Sequence, residues 1–347
     1  MHNRAKEIIA GNVNATALLI RDIENDVPSA REILKELYPY TGKAYVIGIT
    51  GAPGVGKSTL IDQMVHHLRE LGKTVGVVAV DPSSPFGGGA ILGDRIRMQR
   101  HDMDRGVFIK SLGTRGHFGG LTKSTRSAVQ VLDAMGKDYI IVETVGVGQD
   151  EVDVFKCAHT TIVVTVPGLG DRIQAVKAGL IEVGNIFVVN KGDERDTEAT
   201  VGDLTLMANL SENAANSDGW KPPIVRTQAV NGKGIEELFA EIERHRSFLE
   251  QGNAEFRLQK RRGRVRDELI EMVKNNILQE VMSSLTETPN FEGAVEAILN
   301  AELDPYSACD GLVQAYIPMI ADQLRRKASQ KTDELRGISL LANDLHR

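Results

Sequence analysis

The sequence predicts an α/β protein with a mostly parallel sheet flanked by helices and with helical extensions at its N- and C-termini. Seven short apolar runs of strand length recur between residues 44 and 229: AYVIGIT, TVGVVAV, VFIK, DYIIVET, TIVVTV, NIFVVNK and PIVRTQA. The runs are continuously apolar and do not alternate with polar residues, which is typical of parallel strands buried on both faces. Helix-length segments such as LIDQMVHHLRELGK separate most of them, as in a sheet covered by helices on both sides.

The segments on either side of these strands are helical in pattern. Residues 1–42 form a predicted N-terminal helical extension, in which Ser29 and Glu32 match a capping box. Residues 43–248 form the predicted sheet domain, and residues 249–347 form a predicted C-terminal helical extension. The apolar side chains that recur there at helical spacing are those of Leu269, Met272, Val273, Ile277 and Val281.

Composition narrows the class of protein. The chain has 347 residues, a net charge of −6 and 41% hydrophobic residues, which argues against nucleic acid as its main partner. Its two cysteines are too few for a disulfide framework or a four-ligand metal site, and they favour a reducing cytosol. No apolar run approaches the roughly 18 residues needed to span a bilayer. We therefore expect a cytoplasmic protein with no membrane partner.

The segment GAPGVGKST, residues 51–59, matches the phosphate-binding P-loop pattern at Gly51, Gly56, Lys57 and Ser58. It directly follows a predicted strand and precedes a predicted helix, which is the context that the pattern requires. Its backbone N–H groups are expected to surround phosphate oxygens, with Lys57 on the β- and γ-phosphates and Ser58 on Mg²⁺. The predicted nucleotide-binding residues of this loop are Gly51, Ala52, Pro53, Gly54, Val55, Gly56, Lys57, Ser58 and Thr59.

The segment NKGD at the end of a later strand predicts which base is bound. The Asp193 carboxylate can accept two hydrogen bonds from guanine, whereas adenine would leave it unpaired. The aliphatic stem of Lys191 can cover one face of the base, and Asn190 completes the motif. In the following loop TQAVNGKG, Gln228 and Ala229 lie where a backbone N–H can meet the base oxygen. The expected ligands are thus GTP and GDP with Mg²⁺.

Acidic residues at strand ends predict the metal and γ-phosphate side of the site. Glu143 lies at the end of the strand DYIIVET, where its carboxylate is expected to hold the Mg²⁺ shell. Gly146 lies three residues later, and its backbone amide is expected to sense the γ-phosphate. Asp81 and Asp94 flank a glycine-rich loop that is expected to approach the metal and the phosphates. With Lys57, these three carboxylates are the predicted catalytic residues, and with Ser58 they are the predicted metal ligands.

The lack of a glutamine directly after the switch glycine predicts slow GTP hydrolysis. Ras-like proteins place a glutamine directly after the switch glycine, where it orients the attacking water. Here Val147 follows Gly146, and Gln149 is two positions further on. Arg95 and Arg97 follow three consecutive glycines, so nothing in the sequence assigns either of them as an internal arginine finger. We therefore expect slow GTP hydrolysis by the isolated protein.

Five segments together resemble the MeaB-type G proteins: GITGAPGVGKSTL, VAVDPSSPFGGGAILGDRIRM, RGHFGG, YIIVETVGVGQDE and VVNKGD. The resemblance runs from about residue 12 to about residue 310. These proteins, related to the methylmalonic aciduria type A protein, are chaperones of adenosylcobalamin-dependent acyl-CoA mutases. The resemblance implies a homodimeric GTPase of the SIMIBI class, in which the helical extensions at both ends serve dimerisation and residues 249–347 also serve partner contacts. Such a protein gates cobalamin delivery to a mutase and protects or rescues it. It also implies the cobalamin adenosyltransferase as an indirect partner.

The same resemblance places an additional switch loop on VPGLGDRIQAVKAG, with Asp171 and Lys177 as its charged members. Arg172 replaces the acidic residue that usually follows Asp171, and RGHFGG replaces RGHLGG. The first change lies where the mutase is expected to be sensed, so the identity of the mutase stays open.

Two other classes of function share part of this pattern. A metallochaperone GTPase for nickel insertion would have the same core, but it normally needs a Cys/His cluster near the switch regions. A P-loop kinase of small molecules would have the same phosphate loop, but it would not need NKGD.

Overall fold

The computed structural model describes residues 1–81, 99–101, 103–113, 120–144, 157–168, 184–193, 196–212, 219–251, 254–286 and 288–315. The chain divides into two compact units, Met1–Arg264 and Val265–Arg347. The helices are α1 Asn3–Ile9, α2 Val13–Glu24, α3 Pro28–Leu37, α4 Lys57–Glu70, α5 Gly120–Ala134, α6 Thr197–Glu212, α7 Ile235–Gln251, α8 Ala254–Thr286 and α9 Pro289–Leu299. Residues 305–315 are also helical.

A seven-stranded sheet organises the first unit. The strands are β1 Tyr45–Gly51, β2 Val75–Asp81, β3 Val107–Gly113, β4 Tyr139–Thr144, β5 Thr160–Thr165, β6 Ile186–Val189 and β7 Ile224–Arg226. They lie in the order β3-β2-β4-β1-β5-β6-β7, and each pairs with its neighbours in parallel. Each of the seven apolar runs overlaps one of these strands, which confirms the predicted fold class. Because all strands run the same way, the loops that follow them meet at one edge of the sheet.

The two faces of the sheet build separate cores. Successive side chains of a strand point to opposite faces, so Ile47 and Val46 belong to different clusters. One cluster joins the sheet to α4 and α7, for example through Leu60 and Leu238. The other joins it to α5 and to the three N-terminal helices, of which α2 contributes Leu19. Residues 1–42 therefore share a core with the sheet and belong to the same compact unit.

The start of α3 differs from the sequence expectation. The helix begins at Pro28, its N-cap is Val27, and no side chain caps it. Proline lacks an N–H and has a φ angle that suits the first helical position, so the helix begins before Ser29. Glu32 forms an ion pair with Lys35. The predicted capping box is wrong.

The second unit is helical in its described residues and contains most of α8, α9 and residues 305–315. Its small core holds Leu285, with Val281 and Leu312 packed against it. Among the helices that the structure describes, none combines the length and the apolar character that crossing a lipid bilayer requires.

Candidate functional site

The P-loop connects the central strand β1 to α4 and bends sharply at three glycines. Gly51, Gly54 and Gly56 have φ angles of 149°, 82° and 91°, a region that favours glycine. A Cβ on Gly51 would lie 2.1 Å from the backbone oxygen of Val164 on β5, and one on Gly56 would lie 2.5 Å from the Asn190 side-chain nitrogen. The glycines thus let the loop approach two neighbouring strand ends closely.

Lys57, the first residue of α4, is only 6% exposed. Its Nζ donates to the carbonyl oxygens of Gly51 and Ala52 at 2.7 and 3.2 Å. The ammonium group therefore lies within the P-loop, on the side of the loop where the sequence predicts phosphates. The ammonium group has three N–H donors, so it can donate to phosphate oxygens as well, to which its opposite charge attracts it.

Ser58 and Glu143 meet at the junction of α4 and β4. The Ser58 hydroxyl donates to Glu143 Oε1 at 3.0 Å, and Glu143 is 1% exposed. The register of β1 and β4, in which Ile49 pairs with Glu143, brings this carboxylate beside the start of the P-loop. A buried carboxylate and a hydroxyl are hard oxygen donors of the kind that Mg²⁺ prefers, so these residues fit the predicted ion. Ser58 and Glu143 would hold the ion, which would supply positive charge against the negative charge that develops on the phosphates during hydrolysis.

The other predicted γ-phosphate residues are only partly described. Asp81 ends β2, where it pairs in register with Gly113 of β3, and β2 also pairs with β4. The backbone of Asp81 therefore lies at the same sheet edge as Glu143. The remaining residues named from the sequence for this side of the site lie outside the described part of the chain: Asp94, Arg95, Arg97, Gly146, Val147, Gln149, Asp171, Arg172 and Lys177.

Asn190 connects the phosphate and base halves of the site. It is 3% exposed, and its side-chain nitrogen donates to the carbonyl oxygen of Val55 in the P-loop at 2.9 Å. Its side-chain oxygen accepts from the Thr227 hydroxyl and from the Ala229 N–H, both at 3.1 Å. Asn190 is thus a brace between the P-loop and the loop after β7. In this structure the Ala229 N–H, predicted to meet the base oxygen, bonds to Asn190.

Sequence reasoning missed this brace and the part that Thr227 plays in it. Thr227 is 1% exposed, its N–H donates to the carbonyl oxygen of Val189, and its carbonyl oxygen accepts from Gly192 N–H. A threonine directly after a short strand gives no signal by itself. Only the pairing of β6 with β7 brings it beside Asn190.

The residues predicted to contact the base follow Asn190 and are open to solvent. Lys191 and Asp193 are exposed, and Lys191 has a φ angle of 56°, in the left-handed region. Such backbone strain, of about 1 kcal/mol or more for a non-glycine residue, concentrates at ligand sites. Gln228 is partly buried, and its N–H donates to the carbonyl oxygen of Lys233 at 3.0 Å, which closes the loop after β7. Within the described residues, the predicted phosphate, metal and base residues thus lie along one sheet edge.

Comparison with known proteins decides the family. The model of the family described as methylmalonyl-CoA mutase-associated GTPase MeaB matches residues 16–286. The chain belongs to the MeaB family. It is accordingly a P-loop GTPase, and the family match confirms the resemblance predicted from its motifs.

Individual relatives agree with the family match. A putative GTPase of Pyrococcus horikoshii is 49% identical over 307 residues, which cover 88% of this chain and 95% of the relative. The mitochondrial methylmalonic aciduria type A homolog of Mus musculus is 31% identical over 280 residues, 78% of this chain and 65% of the relative. A crystal structure titled LAO/AO transport system kinase has the same fold, with a TM-score of 0.63 at 24% identity, over 90% of this chain and 95% of that one.

Proposed function

We propose that this GTPase is a chaperone of an adenosylcobalamin-dependent acyl-CoA mutase, methylmalonyl-CoA mutase or a close relative. In this proposal it gates delivery of the cobalamin cofactor in the cytoplasm and protects or reactivates the mutase. The observation that carries the proposal is the match of residues 16–286 to a family described as mutase-associated. The name of the mouse relative, methylmalonic aciduria type A homolog, supports it, since it shares the word methylmalonic with the description of the family.

The nucleotide site is the switch in this proposal, with GTP or GDP as ligand and Mg²⁺ as its ion. Lys57 and the P-loop bind the phosphates, and Ser58 and Glu143 hold the ion, together with Asp81 and Asp94. Asp193 and Lys191 select guanine, and Asn190 keeps the two halves of the site at a constant separation. Gly146 and the loop with Asp171 and Lys177 respond to the γ-phosphate and to the mutase.

Mutase binding is expected to accelerate GTP hydrolysis at least about tenfold. The isolated chain has Val147 where a water-orienting glutamine would stand, so a partner must supply the missing geometry. An arginine finger supplied by a partner increases the rate of hydrolysis by roughly 10³–10⁵, which is more than the tenfold increase expected here. The measurement is single-turnover GTP hydrolysis with and without methylmalonyl-CoA mutase. A fast isolated enzyme that ignores the mutase would contradict the chaperone proposal.

Titration with GTP and ATP tests the alternative of a small-molecule kinase, because Asp193 has no matching pair of donors on adenine. Preference for ATP would favour the kinase. Stimulation by a metalloenzyme precursor, and not by the mutase, would favour a metallochaperone.

A homodimer is the second part of the proposal, and the exposed face of α8 supports it. Apolar side chains recur every four residues along α8 and are 47–60% exposed in the single chain: Val265, Leu269, Val273 and Ile277. Residues spaced by four form a ridge along a helix, which packs into the groove of a facing helix. Ile277 also lines a groove of about 500 Å³ beside this ridge. A continuous apolar ridge of this kind marks a protein–protein interface.

The double substitution Leu269→Glu with Ile277→Glu is expected to convert the dimer into a monomer, because it places two carboxylates on each apolar ridge. Light scattering after size-exclusion chromatography measures the mass. Leu206→Glu on α6 is the matched control, since Leu206 is 61% exposed but lies outside the ridge. A native mass of one chain, or a dimer that survives the double substitution, would refute this interface.

A further inference from the structure

Thr227 lies directly after β7 and bonds through its main chain to both sides of Asn190. Its N–H donates to the carbonyl oxygen of Val189 at 2.9 Å, and its carbonyl oxygen accepts from the Gly192 N–H at 3.0 Å. Val189 pairs in register with Arg226, so these two bonds continue the pairing of β6 and β7 beyond the ends of the strands. The main chain of Thr227 therefore aligns the guanine motif, residues 190–193.

The side chain of Thr227 fixes the orientation of the Asn190 amide. Its hydroxyl donates to Asn190 Oδ1 at 3.1 Å, and the Ala229 N–H donates to the same oxygen at 3.1 Å. An amide oxygen has two lone pairs, so these two donors fill its capacity. With the oxygen held on this side, the amide nitrogen is directed to the P-loop, where it donates to the carbonyl oxygen of Val55 at 2.9 Å.

The contact between Asn190 and the P-loop is close and dry. A Cβ on Gly56 would lie 2.5 Å from the Asn190 side-chain nitrogen, so the amide lies directly against the loop. Thr227 is 1% exposed and Asn190 is 3% exposed, so bulk water does not reach the bond between them. Loss of the Thr227 hydroxyl therefore leaves Asn190 Oδ1 with one donor fewer, and a buried acceptor that loses its donor is destabilised in that orientation.

Thr165, at the end of β5, contacts Asn190 without using its hydroxyl. The Asn190 N–H donates to the carbonyl oxygen of Thr165 at 2.8 Å. Thr165 is 4% exposed, and its hydroxyl has no hydrogen-bond partner among the residues that the structure describes. Because β6 lies between β5 and β7, these two buried threonines flank Asn190. Thr227 holds the Asn190 side chain through its hydroxyl, whereas Thr165 bonds to the Asn190 main chain through its carbonyl oxygen.

We propose that Thr227 is a positioning residue for GTP binding, which holds the Asn190 amide in the orientation that joins the guanine motif to the P-loop. The inference rests on the proposed assignment of GTP to this site. Without the hydroxyl, the free protein has Asn190 in other orientations for part of the time, and the Kd for GTP rises by the inverse of the competent fraction. One neutral hydrogen bond changes that fraction by up to about tenfold. The contacts of Thr227 lie in the base half of the site, so GTP that has bound is expected to be hydrolysed at an unchanged rate.

The test is GTP binding by titration, together with single-turnover hydrolysis at saturating GTP, by the isolated full chain. Thr227→Val removes the hydroxyl, keeps a side chain of similar shape and leaves both main-chain bonds in place. It is expected to raise the Kd for GTP about threefold to tenfold and to leave the rate of hydrolysis within about twofold of its original value. Thr227→Ser keeps the hydroxyl, so it is expected to restore the original Kd to within about twofold.

Thr165→Val is the matched control. It makes the same substitution on the other side of Asn190, at a hydroxyl that has no hydrogen-bond partner in the described part of the chain, and it keeps the bond from the Thr165 carbonyl oxygen to the Asn190 N–H. The Kd for GTP is expected to stay unchanged. Thr227→Val added to Asn190→Ala is expected to cause no further loss of affinity, because Thr227 acts through Asn190.

An unchanged Kd in Thr227→Val would overturn the proposal, whether or not the melting temperature falls. Equal increases of Kd in Thr227→Val and Thr165→Val, or additive losses from Thr227→Val and Asn190→Ala, would also overturn it. Lys57→Ala distinguishes this failure from a failure of the site. An increased Kd in Lys57→Ala alone would refute only the role of Thr227, whereas an unchanged Kd in both variants would refute the proposed nucleotide site. The test uses no mutase, so its outcome is independent of the chaperone proposal.

Discussion

Lys57→Ala is expected to lower the rate of GTP hydrolysis by about 10²–10⁴-fold. In the structure Lys57 Nζ donates to two carbonyl oxygens inside the P-loop. With nucleotide bound, we expect it to donate to the phosphates. Hydrogen bonds to charged groups are worth about 1.5–3 kcal/mol each, and about 1.4 kcal/mol corresponds to a tenfold change in rate. Two such bonds give the stated range. Single-turnover hydrolysis measures it.

Lys137→Ala is the control for this substitution. Lys137 is also 6% exposed, and its Nζ donates to the carbonyl oxygen of Gly106 at 2.9 Å. Like Lys57, Lys137 lies largely out of solvent, and this burial lowers its pKa. It precedes β4 and so lies at the opposite edge of the sheet from the P-loop. Lys137→Ala is expected to reduce stability and to leave hydrolysis unchanged, whereas full activity in Lys57→Ala would show that this loop does not hold the phosphates.

Asp193→Asn is expected to change the preferred base from guanine to xanthine. The carboxylate accepts from the ring N–H and from the exocyclic amine of guanine. The amide of the variant instead donates to the C2 oxygen of xanthine. Two charged hydrogen bonds of about 1.5–3 kcal/mol each predict a shift of about 10²–10⁴ in the ratio of GTP to xanthosine triphosphate affinity. Competition binding with the two nucleotides measures this ratio.

Asn190→Ala is the control for Asp193→Asn, because Asn190 supports the site without being expected to select the base. Asn190 bonds to Val55, Thr227 and Ala229 and braces two loops. Its loss is therefore expected to weaken GTP and xanthosine triphosphate by the same factor and to leave their ratio unchanged. A GTP preference that survives in Asp193→Asn would mean that another residue selects the base.

Local patterns in the sequence were sufficient for the elements and for much of the site. Continuous apolar runs predicted all seven strands, because strands buried on both faces of a parallel sheet favour apolar side chains at most positions. The P-loop and NKGD were recognisable because binding a phosphate or a guanine base requires particular residue types within a short stretch of chain. The phosphate requires glycine at Gly51 and Gly56 and a positive charge at Lys57, and guanine requires a negative charge at Asp193. These requirements involve neighbours within a few residues, so a linear pattern records them.

By itself, therefore, the sequence determined the α/β fold class, the phosphate loop, the guanine motif and the family. The tertiary structure alone decided which residues of distant segments hold one another. It assigned Asn190 as a brace between loops that are more than 30 residues away from it on one side and more than 130 on the other. It placed α1–α3 in the core of the sheet, and it brought the Thr227 hydroxyl to Asn190. Such contacts depend on strand order and helix packing, which bring together residues that carry no signal of each other in the sequence.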